Sequence, residues 1–177
     1  MNFKERIRTR LAMMWWSMNG DLSSTPFTIP THGLRAQHLA VILPPDFADF
    51  DVARYAFDQL VYKLQPYKCT VFIRDNYRSW LTATKGAQYF TYDPNRKNLL
   101  GFPENHACQE ARSLDADVVI DLTPHFSQFT AGLAAATHAP LRVSLDKEYA
   151  NRFYNLIVQP ARGRSLQEQY HVLLTHI

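Results

Sequence analysis

Six short runs rich in β-branched and aromatic residues recur along the chain, with segments of helical character set between them. They are HLAVILPP (38–45), KCTVFIRD (68–75), AQYFTYDP (87–94), DVVIDL (117–122), LRVSL (141–145) and YNLIVQP (154–160). Each reads as a strand by composition and is bounded by turn-forming or charged residues. After the first, Val52, Tyr55, Ala56, Leu60 and Leu64 recur at steps of three and four, the spacing of one apolar helical face. Residues 104–114 and 125–138 also read as helices, and SLQEQYHVLLTHI closes the chain as a helix with Ser165 and Glu168 in capping-box spacing. Short strands alternating with helices predict an α/β chain with a mainly parallel sheet covered on both faces, a Rossmann-like three-layer sandwich. With 177 residues, 46% of them hydrophobic and 20% charged, the chain is long and apolar enough for one domain with its own core.

The N-terminal end has a different character. Phe3, Ile7, Leu11, Met14, Trp15 and Met18 fall at helical spacing, which predicts an amphipathic helical arm over residues 1–19. Its early part is basic through Lys4, Arg6, Arg8 and Arg10. The arm faintly imitates a secretory signal, but its apolar stretch is short and no small-x-small cleavage site follows. Residues 20–37 collect Gly, Pro, Ser and Thr and read as an extended connector, so the domain proper is expected over 38–177.

Several function classes are disfavoured by composition. No apolar run approaches the roughly 20 residues needed to span a bilayer, and a formal charge of +3 is too weak a bias to argue for nucleic acid. Cys69 falls in a strand and Cys108 in a helix, so two free thiols in a reducing, cytoplasmic compartment are expected rather than a disulfide. Two distant cysteines and seven scattered histidines without His-x-x-x-His spacing predict no metal site.

In an open parallel sheet, ligands bind at the carboxyl ends of the strands, where helix N-termini also point. Three loops qualify: PPDFADFD, RDNYRSW and TPHFSQ. The first has no glycine, so it is neither a dinucleotide turn nor a phosphate loop, and no cofactor is expected. Of Asp46, Asp49 and Asp51, one is a natural helix N-cap. In the third loop, Asp121 precedes His125 by four residues, a spacing that lets a carboxylate orient an imidazole for acid–base work. The structural alternative is that Asp121 accepts backbone N–H bonds from the following turn while His125 lies at the surface. Ser127, His125 and Asp121 form a triad only on paper, since no Gly-x-Ser-x-Gly elbow accompanies them. The catalytic candidates are therefore Asp46, Asp121 and His125, without a firm assignment among them.

The stretches DADVVIDLTPHFSQFTAGLAAATHAPLRV and FYNLIV resemble the late part of the N-terminal domain of heptosyltransferase-like glycosyltransferases. There, a strand of this wording leads into a small-residue helix and then an Arg-containing strand. The chain is also similar to small bacterial proteins that carry a single such domain. The resemblance implies two facing Rossmann-like domains, the acceptor on the first and the nucleotide sugar on the second, and this length has room for the first alone. It also implies a Gly-Asp turn after the first strand whose Asp is the catalytic base. Here the turn is PPDFAD, so Asp46 matches in type and the glycine is missing.

With those turns missing and an aromatic, basic terminus, the leading expectation is a non-catalytic interaction module. It docks on a protein partner or larger assembly, or on its own copy, through Arg6, Arg10, Trp15 and Trp16. One alternative is a half-size glycosyltransferase-like or nucleotide-binding enzyme with Asp46, Asp121 and His125 near its cleft. Another is arm-mediated binding to RNA or an anionic membrane surface.

Overall fold

The computed structural model of the chain describes residues 7–14, 36–81 and 86–177. All six predicted strands form: β1 His38–Ile42, β2 Lys68–Arg74, β3 Ala87–Tyr92, β4 Val118–Asp121, β5 Leu141–Leu145 and β6 Leu156–Val158. They pair in parallel throughout, in the order β3-β2-β1-β4-β5-β6. Residues 7–14 are helical and are designated α1. The remaining helices are α2 Phe47–Leu64, α3 Asn105–Arg112, α4 Gln128–Ala136 and α5 Leu166–His176. Helices α2 and α5 pack together on one face of the sheet, and α3 and α4 on the other, which makes the fold Rossmann-like α/β. Winding reverses between β1 and β4, and in open parallel sheets ligands usually bind at such a switch point, beyond the carboxyl ends of the strands.

The central strands β1, β4 and β5 are buried along their whole length because both of their faces are covered. Leu39 and Val41 of β1 enter the α2–α5 core, and Ala40 and Ile42 enter the α3–α4 core. All nine residues of α4 are buried, and small side chains allow this. A Cβ on Gly132 would lie 2.7 Å from Pro103 Cδ, so glycine lets α4 lie directly on the loop at Phe102 and Pro103. Helix α5 has the expected capping box at Ser165 and Glu168, and it buries Tyr170, Leu173 and Leu174.

Two helices present a different face from the one their spacing predicted. In α2 the buried residues are Phe50, Ala53, Ala56, Phe57, Leu60 and Leu64, while Tyr55 is 60% exposed. Two phenylalanines bury more apolar area than Val52 and Tyr55, and they set the rotation of the helix. In α1, Thr9, Ala12 and Met13 pack inward with the α3–α4 core, and Arg152 Nη1 donates to the Met13 carbonyl at 3.3 Å. Ile7, Leu11 and Met14, which the spacing put on one apolar face, are 45%, 55% and 62% exposed. Phe3, Lys4, Arg6, Trp15, Trp16, Met18 and most of the predicted connector, residues 20–35, lie outside the described residues. Among those described, no helix is long and apolar enough to cross a membrane.

Candidate functional site

The carboxyl end of β1 is held from several sides. The Tyr92 hydroxyl donates to the Leu43 carbonyl at 2.7 Å. Arg74 Nη1 and the Tyr77 hydroxyl donate to the Pro45 carbonyl at 3.1 and 3.2 Å. Phe47 packs edge-on against Tyr77 and Trp80. The loop RDNYRSW, one of three that the sequence put forward as a ligand loop, forms a short 3-10 helix at Asp75–Trp80 and buttresses the first loop.

Within that first loop, Asp46 is the N-cap of α2, its Oδ1 accepting from the Ala48 amide at 3.0 Å. Asp51 pairs with Arg54 at 2.8 Å on the outside of the helix. Asp49, in the first turn, is half-buried. Burial raises its carboxyl above the ordinary range; the His125 charge opposes this and the like charge of Asp46 adds to it. His125 reaches this neighbourhood from the loop after β4 and is itself exposed. Asp49 thus feels the charges of Asp46, in the loop after β1, and of His125, in the loop after β4.

Asp121 is elsewhere. It is fully buried, and its Oδ1 accepts from the Thr123 amide at 2.9 Å. Its Oδ2 accepts from Lys147 Nζ at 2.9 Å and from the Tyr154 hydroxyl. Lys147 Nζ also donates to the Thr123 carbonyl at 2.8 Å and lies 5.0 Å from the centre of the Tyr154 ring. Burial alone pushes the Asp121 carboxyl up. The Lys147 charge and the bonds from Thr123, Tyr154 and Lys147 outweigh burial and hold the group below its ordinary value. All three of its partners are structural, so Asp121 ties the loops together and makes no bond to His125. Ser127 serves as the N-cap of α4, its Oγ accepting from the Thr130 amide at 3.3 Å. Arg142, the arginine of the LRVSL strand, spends its guanidinium on the carbonyls of Phe153 and Ala139 at 2.7 and 3.0 Å.

Sequence reasoning left Asp49 as one of three capping candidates and passed over Lys147. The Asp-x-x-Asp spacing of Asp46 and Asp49 is the one local signal for the first, since both fall in one helical turn. Lys147 follows Asp121 by 26 residues, and only the pairing of β4 with β5 brings them together. Arg6, Trp15 and Trp16 lie outside the described residues, and Arg10 is an exposed residue of α1. No group of three or more His, Cys, Asp or Glu side chains among the described residues could hold a metal ion.

The parallel sheet with its β1–β4 switch point places the chain among open, Rossmann-like α/β folds. Among solved structures, the chain is similar to the crystal structure of the glycosyl transferase family 9 from Veillonella parvula DSM 2008. The TM-score is 0.56 at 17% sequence identity, over 81% of this chain and 42% of that one. The chain therefore spans less than half the length of that protein, and the resemblance to heptosyltransferase-like glycosyltransferases holds at the level of the fold. Comparison with protein-family models gives no match, and neither does comparison with curated protein sequences.

These findings correct the expectation of a non-catalytic module docking through its arm. The structural neighbour is a glycosyl transferase, and α1 is packed on the domain through Ala12 and Met13.

Proposed function

We propose that the chain is a glycosyltransferase-like domain that receives an acceptor hydroxyl at the β1–β4 switch point. The observation that carries this reading is the gathering of Asp46, Asp49 and His125 at the switch point of a fold shared with a family 9 glycosyl transferase. Asp49 acts as the base. A carboxylate made more basic by partial burial is better matched to a hydroxyl proton than an ordinary surface one. As Asp49 takes the proton, the acceptor oxygen bonds to the anomeric carbon of a nucleotide sugar. The bond from that carbon to the diphosphate breaks, and its electron pair leaves with the nucleoside diphosphate. His125 receives the proton from Asp49 and passes it to solvent, to which it is exposed. Asp46, fixed as a cap, keeps Asp49 basic through like charge.

The protein works in a reducing compartment, the bacterial cytoplasm, and the free thiols of Cys69 and Cys108 support this.

Release of nucleoside diphosphate from a panel of nucleotide sugars, with sugar and phosphosugar acceptors, tests the reading. Asp49→Asn should lower the rate by about 10²–10⁴-fold, the usual share of a general base. Turnover unchanged in Asp49→Asn, or absent with every donor, would overturn it.

A further inference from the structure

A cleft of about 350 Å³ lies between α1, the loops after β1, β3 and β4, and the first turn of α4. Asp46, Asp49 and His125 do not line it. Its wall carries two cations, Arg8 and Lys97, and no carboxylate. Among the described residues, neither cation has a carboxylate within ion-pair distance. Gln128 and Phe129, the first residues of α4, line the same space, and an α-helix gives its first N–H groups no internal acceptor.

A second, independent observation concerns Gln128. This side chain is nine-tenths buried, yet its Nε2 has no hydrogen-bond partner. Gly101, at φ +91°, brings its backbone so close that a Cβ there would lie 2.3 Å from Gln128 Oε1. The oxygen end of the amide is thus set against Gly101, and the nitrogen end is unspent. Arg8 Nε, on the opposite wall, is likewise buried without a partner. Buried donors are almost always satisfied in folded proteins. Two on one small cleft, one of them on the cation Arg8, beside a second cation, Lys97, and a helix N-terminus, describe a place that lacks an acceptor with several oxygens.

We propose that this cleft binds an oxyanion, the phosphate or carboxylate group of a ligand, on Arg8, Lys97, Gln128 and the first amides of α4. The site adjoins the proton-handling cluster through Pro45 and Phe126, but none of the groups assigned to the oxyanion takes part in the proposed proton transfer.

The test is titration with inorganic phosphate, and separately with acetate, at constant ionic strength and with chloride as the control. Backbone amide shifts and thermal unfolding are the readouts. Phosphate, acetate or both should saturate and move the amides of Gln128 and Phe129, and the stronger of the two identifies the oxyanion. Lys97→Ala and Gln128→Leu should each weaken binding by about tenfold. Gln128→Leu should unfold no earlier than the parent without anion, because it removes an unpartnered donor and keeps the side chain's bulk. If it does not fold, the exposed Lys97 decides the matter alone. Equal shifts with chloride, or parent-like binding in the variants, would overturn the site. Oxyanion binding without any transferase activity would overturn the proposed function and leave the site standing.

Discussion

Lys147 Nζ lies 2.9 Å from Asp121 Oδ2, with 3% and 0% of the two side chains exposed. The pair joins the end of β4 to the segment after β5 and fixes where the loop carrying His125 leaves the sheet. Removing one member leaves an uncompensated buried charge. Lys147→Met should therefore cost about 3–5 kcal/mol in urea unfolding. The sign with pH follows from Asp121, whose folded-state value is depressed below the ordinary 3.8. Its stabilisation is fully present above 3.8 and is lost as pH falls through the folded-state value. Lys147→Met should flatten that acid limb, which a pH series of unfolding curves would read directly.

Asp49 has the opposite linkage. Its folded-state value is raised, so ionising it near neutral pH works against folding. Asp49→Asn should unfold at a higher temperature than the parent at neutral pH, and the gain should vanish in acid, where the parent carboxyl is protonated in both states. The same substitution removes the base in the proposed mechanism. Melting curves at two pH values check the first half, since an unchanged melting temperature at neutral pH would mean that Asp49 is an ordinary surface carboxylate.

The two thiols should react in a fixed order. Burial pushes Cys69 up to about 11, and it has no path to solvent from β2. Cys108 on α3 is half-buried and its thiol is raised less far. Under native conditions an alkylating reagent should modify Cys108 first, and Cys69 only on unfolding, as intact-mass measurements over time would show.

Gly132 is a packing requirement. A Cβ at this position would fall 2.7 Å from Pro103 Cδ and 3.0 Å from Phe102 Cδ1, atoms held by the surrounding core. Gly132→Ala should cost about 1–3 kcal/mol by overpacking, despite the better helix propensity of alanine. A variant as stable as the parent would place the loop at Phe102 and Pro103 farther from α4.

The sheet could be read from the sequence because its strands are short runs rich in β-branched and aromatic residues, most of them well buried. LRVSL coincides with β5 from Leu141 to Leu145. The capping box at Ser165 was legible for a similar reason, since its partners are three residues apart. What stayed hidden depends on neighbours distant along the chain. Periodicity gave α1 an apolar side of Ile7, Leu11 and Met14, but the α3–α4 face receives Thr9, Ala12 and Met13 instead. The basicity of Asp49 arises where the loop after β4 meets the loop after β1, and Lys147 meets Asp121 across two strands. The unspent Gln128 amide likewise needs Gly101 from another loop.

The claim at the centre is that an acceptor hydroxyl is received at the β1–β4 switch point, beside Asp49. Amide chemical-shift mapping with acceptor sugars and nucleotide sugars locates the binding surface directly. Shifts should concentrate in residues 45–49 and 123–125 and should shrink in Asp49→Asn. Shifts confined to the groove between α2 and α5, lined by Tyr55, Gln59, Arg164 and His171, would contradict it, as would none at all.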